Sequence, residues 1–317
     1  MLIDAHVHIF PEVDGYTSKG KTSSGTFGQF VFGSGEIERI LPAATEKLSY
    51  TAGYLLQDMD QCAVDKAVIL LDPCYGDWSD YVMAVCQKYP SKFAAAGYFD
   101  PWAADAVERY ETILSKPIWK SIKIEFSQDS GLCGVYPGAR LDGQHLDWIW
   151  ARMEREGKTV VFDLGKPGQP SYQTNAIERI ARQHPGLRIV LCHAGQPSLE
   201  VERDKDRWMA WINQIQLGQL PNVWFDFSAM PFHVKEHENY PYPSTKRYFL
   251  IAFDIIGDRK LMWGSDVPWL LGTASYAQLV SHGKYLVEDM PKMTQDRLLF
   301  LNALDVYWPQ HTGYPSN

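Results

Sequence analysis

The sequence predicts a single (β/α)8 barrel, and three observations carry that prediction. Short apolar runs alternate with longer amphipathic stretches from one end of the 317 residues to the other, the pattern of repeated strand–helix units around a parallel sheet. The apolar runs number about eight, which is the count that closes such a barrel. Several of them end in polar residues, and barrels of this kind draw their chemistry from the C-terminal ends of their strands. No linker or low-complexity segment interrupts the order, so residues 1–317 read as one α/β domain.

The first predicted strand, 2–8, carries His6 and His8 at its end. Residues two apart share a face of an extended chain, so both imidazoles can grip one cation. The remaining strands are predicted at 66–71, 93–99, 121–126, 159–164, 188–192, 223–227 and 260–264. Helices are predicted at 36–60, 77–89, 103–115, 143–157, 173–184, 198–216, 244–257 and 274–288, with a last one near 294–304. Asp100-Pro101 ahead of a helix and Gly157 behind one punctuate this series as expected. Two connections are too long to be plain turns. The glycine-bearing segment 11–35 after strand 1 and the Pro-, His- and Tyr-rich segment 229–243 after strand 7 both fall over the C-terminal mouth. Each is a lid candidate, and a floppy insertion is an equal alternative for the first.

Composition removes several classes of function. The 30 basic residues are dispersed among 38 acidic ones, for a formal charge of −8, which offers no basic face for a phosphate backbone. No apolar run approaches ~20 residues, and a strand pattern stands where a signal peptide would begin; the expectation is a cytoplasmic protein with neither membrane nor nucleic-acid partner. Cys62, Cys74, Cys86, Cys133 and Cys192 are odd in number and lack C-x-x-C spacing, which fits reduced thiols.

The strand ends supply the candidate chemistry. Lys123 and Glu125 share a face of the fourth strand, Asp163 interrupts the apolar fifth, and His193 tips the sixth. The seventh holds Asp226 and Ser228, and Asp266 follows the eighth. One polar residue at a strand end often only ties down a loop, but coincidence at the first, fifth, sixth and eighth strands suits a divalent first-row metal such as zinc. A bound metal makes hydroxide available near neutral pH, and a nearby carboxylate, here Asp266, can take and return the proton.

The stretches Ile3-Asp4-Ala5-His6-Val7-His8, Ile189-Val190-Leu191-Cys192-His193-Ala194-Gly195, Trp263-Gly264-Ser265-Asp266-Val267-Pro268-Trp269 and Asn302-Ala303 resemble the amidohydrolase-related family. That branch of the amidohydrolase superfamily holds aminocarboxymuconate-semialdehyde decarboxylase, resorcylate-type decarboxylases and several lactonases. The resemblance spans nearly the whole chain, including Tyr89–Phe93 and the run to Pro101. It implies a distorted TIM barrel, His6, His8 and Asp266 as metal ligands, and His193 beside the reactive water or substrate. One departure stands out: metal-binding relatives usually end strand five in histidine, and the position here is Asp163. The ligand set is then expected as His6, His8, Asp163 and Asp266, with Glu125 nearby. Zinc is the first choice of ion and manganese the second, while the pyrone-dicarboxylate lactonase branch provides a metal-independent alternative.

His233-Val234-Lys235-Glu236-His237 fits the H-x-x-E-H pattern of some zinc peptidases, which requires both histidines on one helix face. Pro231, Pro241 and Pro243 crowd the segment, so a polar loop over the mouth is the better reading. The functional expectation is a metal-assisted hydrolase of a small carboxylated lactone, ester or amide, using water activated by the metal or by Asp266. His193 assists, and Lys123, Glu125, Arg140 and Lys166 are candidates for contact with the substrate. Non-oxidative decarboxylation of an aromatic or muconate-like acid is the alternative chemistry, and a ligand-binding barrel without turnover the alternative class. A TatD-like nuclease would share the metal scaffold, but the acidic charge argues against it. The partner is a small molecule, with homodimerisation left open.

Overall fold

The computed structural model describes residues 1–309. Eight strands pair in chain order: β1 (Ile3–Val7), β2 (Lys66–Leu70), β3 (Phe93–Tyr98), β4 (Trp119–Glu125), β5 (Thr159–Asp163), β6 (Arg188–Leu191), β7 (Val223–Phe227) and β8 (Leu261–Trp263). Every neighbouring pair is parallel. The seam between first and last is closed just beyond β8, where Asp266 N donates to His6 O at 2.8 Å and His8 N to Val267 O at 2.7 Å. The predicted strands agree with these within two residues at either end.

Helices α1 (Ala52–Gln61), α2 (Ser79–Lys88), α3 (Ala106–Arg109), α4 (Asp147–Arg155), α5 (Thr174–Gln183), α6 (Lys205–Ile215), α7 (Pro243–Ile256) and α8 (Tyr276–Val287) follow the strands. The longer ones lay an apolar stripe on the sheet; α5, for instance, buries Ala176, Ile177, Ile180 and Ala181. Among the described residues no helix is long and apolar enough to cross a membrane.

The prediction of one helix over 36–60 is corrected. Ile37–Arg39 is the third strand of a small antiparallel sheet with Ser23–Ser24 and Gln29–Val31, and the helix begins only at Ala52. Pro42 lies inside the predicted span, and proline both lacks a donor and clashes in a helix interior. The segment before it is ordered as well: Tyr16–Thr17 and Gly20–Lys21 form a two-stranded ribbon. Gly28, at φ +77°, is pressed so close to Leu41 that a Cβ would meet its carbonyl oxygen at 2.2 Å. This region is therefore a folded cover rather than a floppy insertion.

Inside the barrel, the lower layers are Ile3, Ala5, Val68, Leu70, Ala94, Ala96, Val161, Val190 and Met262. The C-terminal helix α9 (Asn302–Tyr307) packs Ala303, Leu304, Val306 and Tyr307 against them. It lies under the strand starts, because Lys66 caps the Trp308 ring at 5.2 Å and Thr159 Oγ1 reaches Val306 O at 3.5 Å. Asn302 Nδ2 fixes the helix by donating to the carbonyls of Asp258 and Leu261.

Candidate active site

The register of β1 shifts between Asp4 and Val7. Ile3 and Ala5 pack inside the barrel and Val7 outside it, so the irregularity re-aims the chain and lets His6 and His8 both face the mouth. Asp4, on the other side, accepts from Ser265 N, His6 N and the Tyr276 hydroxyl, and so clamps β1 to the segment beyond β8. Burial pushes its carboxyl up to about 7 against those hydrogen bonds.

Three atoms then converge. His6 Nε2 lies 3.3 Å from His8 Nε2 and 3.5 Å from Asp266 Oδ1, and His8 Nε2 lies 3.1 Å from the same oxygen. The outer nitrogens decide what these atoms are. His8 Nδ1 is 2.7 Å from Leu70 O, which can only accept, so that nitrogen carries a hydrogen. His6 Nδ1 faces Asp226 Oδ2 at 3.2 Å, and burial depresses the His6 pKa, so the ring is neutral with its hydrogen on Nδ1. Two imidazole Nε2 atoms and a carboxylate oxygen thus face one another. A single proton could serve one side of that triangle, whereas a cation serves all three corners. Rings fixed by a carboxylate and a carbonyl are also how metal-ligating histidines are held. The residues present fit a divalent ion.

His193 stands beside this triangle with its ring centroid 4.8 Å from that of His6. It follows β6 in the left-handed region, at φ +57°, and Asp266 is held there too, at φ +60°; such strain concentrates at functional sites. Asp226 organises the neighbourhood. It accepts from His193 N at 2.9 Å, from Ser228 N and Oγ, and from His6 Nδ1. Burial opposes its ionisation, but His6, His193 and Ser228 hold it well below the usual carboxylate range. Since the Ser228 hydroxyl hydrogen goes to Asp226, Ser228 Oγ accepts from His193 Nδ1 at 2.8 Å.

Asp163, expected among the metal ligands, is drawn elsewhere. Its Oδ2 lies 3.2 Å from His193 Nε2, while Gly165 N and Gln196 Nε2 donate to Oδ1 at 2.9 and 3.0 Å. These three partners turn the carboxylate away from the His6–His8–Asp266 triangle, which forms a ligand group without it. Burial would lower the His193 pKa, but Asp163 foremost, with Asp266 and Asp226, raises it to about 9. Asp163 is correspondingly held far below its ordinary value against its own burial. His193 is therefore an imidazolium paired with Asp163. A second group, His6, Cys192 and His193, also lies within ligand spacing, but burial pushes the Cys192 thiol far up and leaves it a poor donor.

Lys123 is buried and committed: Nζ donates to Asp72 Oδ2 at 2.6 Å and lies 3.5 Å from Glu125 Oε2. Burial and the neighbouring Asp163 push the Glu125 carboxyl well above its usual range. Arg140, expected at the substrate, is corrected. It pairs with Asp142 at 3.1 Å, half exposed, and is not part of the cavity wall; the chain leaves the mouth before reaching it. Lys166 is at the cavity rim, exposed, 4.0 Å from Asp129.

The cavity holds about 250 Å³, with Phe32, Tyr75, Phe232 and Trp269 as aromatic walls and the polar cluster as its floor. Both long connections cover it, tied together by Lys235 Nζ to Glu38 Oε1 at 2.8 Å. The H-x-x-E-H segment forms consecutive turns rather than a helix, with His233 on the cavity and His237 exposed. Asp72, Ser228, Gln196 and His233 had no assigned role in the sequence. Asp226 and Ser228 were visible at a strand end, yet an acid that acts by holding a histidine carries no sequence mark of that job.

The family described as Amidohydrolase matches residues 3–308. Comparison with curated protein sequences finds no match. Among solved structures, an amidohydrolase from Burkholderia multivorans with bound zinc is similar at 19% identity and a TM-score of 0.71, over 97% of this chain and 99% of that one. A probable 2-pyrone-4,6-dicarboxylic acid hydrolase from Acinetobacter baumannii with citric acid bound is similar at 15% identity and 0.69, over 97% and 99%. A 5-carboxyvanillate decarboxylase from Sphingomonas paucimobilis is similar at 14% and 0.57, over 82% and 84%. At these identities the likeness is one of fold.

Proposed function

The chain belongs to the amidohydrolase family and is an enzyme of that family; from that premise we propose that it is a metal-assisted hydrolase of a small lactone, ester or amide. The observation that carries this reading is the triangle of His6 Nε2, His8 Nε2 and Asp266 Oδ1, three potential ligand atoms within 3.5 Å of one another. Nitrogen and carboxylate donors suit zinc, and a structural neighbour holds zinc; manganese is the second choice. When bound, such an ion polarises a carbonyl and lowers the pKa of water.

The chain's own groups account for the rest. Asp266 has Oδ1 committed to the histidines, so Oδ2 takes the proton of the attacking water and returns it to the leaving oxygen or nitrogen. The His193 imidazolium, held by Asp163 and Ser228, offers positive charge to the oxyanion that develops as the carbonyl is attacked. Glu125, whose carboxyl is pushed well above its usual range by burial and by Asp163, stands in the cavity wall facing the substrate. Lys123 lines the cavity with one of its three donors on Asp72 and Glu125 3.5 Å away. A carboxylated substrate would direct its charge to Lys123 in the wall or to Lys166 at the rim.

The test is metal analysis of protein purified without chelator, followed by incubation with a panel of lactones, amides and aromatic acids in heavy-oxygen water. The expected result is one zinc per chain and label in the product carboxylate. Carbon dioxide released from an aromatic acid would replace this reading with decarboxylation. A zinc-loaded chain inert to the whole panel would leave the ligand-binding barrel.

A further inference from the structure

We propose that Tyr75 is a substrate contact, its hydroxyl donating a hydrogen bond to an oxygen of the molecule bound over the His6–His8–Asp266 triangle, at the end of the site opposite His193. This rests on the reading of the cavity as a hydrolase site. The residue belongs to the turn after β2, which carries none of the groups assigned above to metal binding or proton transfer.

That turn is fixed at its backbone. Tyr75 N donates to Asp72 O at 3.2 Å, and Tyr75 O accepts from Asp14 N at 3.1 Å and from Trp78 Nε1 at 2.9 Å. The ring is held as well: it stacks on Phe10 at 4.3 Å with the planes at 14°, and Phe30 meets it edge-on at 6.0 Å. Its third neighbour is a candidate metal ligand. The Tyr75 centroid lies 5.1 Å from that of His8, His8 lies 5.0 Å from His6, and His6 lies 4.8 Å from His193. The four rings succeed one another, with Tyr75 and His193 at the two ends and the histidines of the triangle between them.

This packing leaves the hydroxyl over. Phe10, Phe30 and His8 take up the ring, Tyr75 lines the cavity, and its hydroxyl makes no hydrogen bond among the described residues. Nor is the oxygen sealed off. The partnerless side-chain atoms shielded from solvent belong to Trp119, Ser121, Gln214, His233 and Tyr307, and the Tyr75 hydroxyl is not one of them. A molecule in the cavity can therefore reach it. Tyrosines with buried rings use their hydroxyls as polar handles, and here the handle can be grasped only by what fills the cavity.

A tyrosine hydroxyl has an ordinary pKa of about 10 and offers one hydrogen at neutral pH. Burial, with Cys74, Asp266 and Asp72 adding to it, pushes the Tyr75 value further up; the influence of Asp266 and Asp72 also sets the hydroxyl beside the reactive cluster. The group thus positions an acceptor and does not carry protons. A substrate matched to this site bears a second oxygen, on the side of the scissile carbonyl turned away from His193.

Two measurements on the zinc-loaded full chain test the assignment. On the panel compound with the highest turnover, Tyr75→Phe deletes the hydroxyl and keeps the stacked ring; it should raise KM roughly 3- to 10-fold, the scale of one neutral hydrogen bond, with kcat little changed. Tyr54→Phe, at an exposed tyrosine outside the cavity wall, should match the parent. Independently of turnover, the dissociation constant of morpholin-3-one, a cyclic amide with a second ring oxygen, should rise by the same factor in Tyr75→Phe when followed by ligand-observed NMR titration. Turnover by the parent with an unchanged KM in Tyr75→Phe would overturn the proposal and leave the hydrolase reading standing. A collapse of kcat at constant KM would overturn it in favour of proton transfer. In a chain that turns over no panel compound, morpholin-3-one binding that weakens in Tyr75→Phe would uphold the contact while the hydrolase reading fails. Binding that does not weaken there, or none to the parent, would overturn the contact.

Discussion

The lower and upper halves of the barrel interior are built on the same strands and differ by only a few residues of chain. Below, Ile3 and Ala5 on β1, Val68 and Leu70 on β2, Val161 on β5 and Val190 on β6 pack against α9 as an apolar plug. Above, the same inner faces end in His6 and His8, Asp72, Asp163 and His193, all of them buried as well. Burying apolar side chains stabilises the fold, whereas burying charges costs stability unless each is paired. The upper half meets much of that condition internally, through the ion pairs of Lys123 with Asp72 and His193 with Asp163 and through the hydrogen bonds that His6, Ser228 and the His193 backbone give Asp226. The difference teaches that the apolar layers hold the barrel shut, and that the polar layer is held in shape by its own pairs and is free to be specified by chemistry.

That contrast can be broken most severely at Asp266. Asp266→Asn should lower kcat by about 10²-fold or more, the scale for losing an acid–base group, while circular dichroism and the thermal midpoint stay near those of the parent. Unfolding of the variant would show that the upper half carries stability after all. A smaller effect is expected one step further out. Asp226→Asn removes the acceptor of His6 Nδ1, and zinc affinity measured by competition with a chromogenic chelator should fall roughly 10- to 100-fold; an unchanged affinity would show that His6 does not depend on Asp226.

Asp163→Asn sharpens the comparison through pH. In metal-free protein the His193 pKa is raised from 6.5 to about 9. The folded state therefore keeps a proton that the unfolded chain releases, so the stability from this pair is present below pH 6.5 and is lost as pH rises through about 9. Urea midpoints should decline over that window in the parent and stay flatter in Asp163→Asn, with activity down roughly tenfold. Equal slopes would mean that Asp163 does not set the charge of His193. The smallest effect belongs to the lower half: the buried Tyr307 hydroxyl has no hydrogen-bond partner among the described residues, so Tyr307→Phe should shift stability by no more than about 1 kcal/mol. A larger loss, read from the thermal midpoint, would reveal a polar role beneath the site.

This same contrast explains what could be read without coordinates. The eight strands were legible because their lower positions are apolar, and His6, His8, His193 and Asp266 because each ends a strand. Asp163 was legible as a site residue but not as the partner of His193. Both roles place a carboxylate at the end of β5, and only the hydrogen bonds from Gly165 and Gln196 choose between them. Arg140 was misjudged because loop residues carry no periodicity to say which way they run. The helix assigned to 36–60 failed on the strand Ile37–Arg39, which pairs as a hairpin with Gln29–Val31 of the long cover.

The seam has one more consequence, in the order of synthesis. His8 and Asp266 are 258 residues apart, and the bonds that close the barrel are made by the backbone of the ligand residues themselves, Asp266 N to His6 O and His8 N to Val267 O. A chain emerging from the ribosome therefore carries its two histidines through the synthesis of 258 further residues before the carboxylate that completes the triangle exists. Closure of the barrel and completion of the His6–His8–Asp266 triangle use the same residues, and until both are in place the nascent protein has neither a sealed sheet nor all three donor groups together.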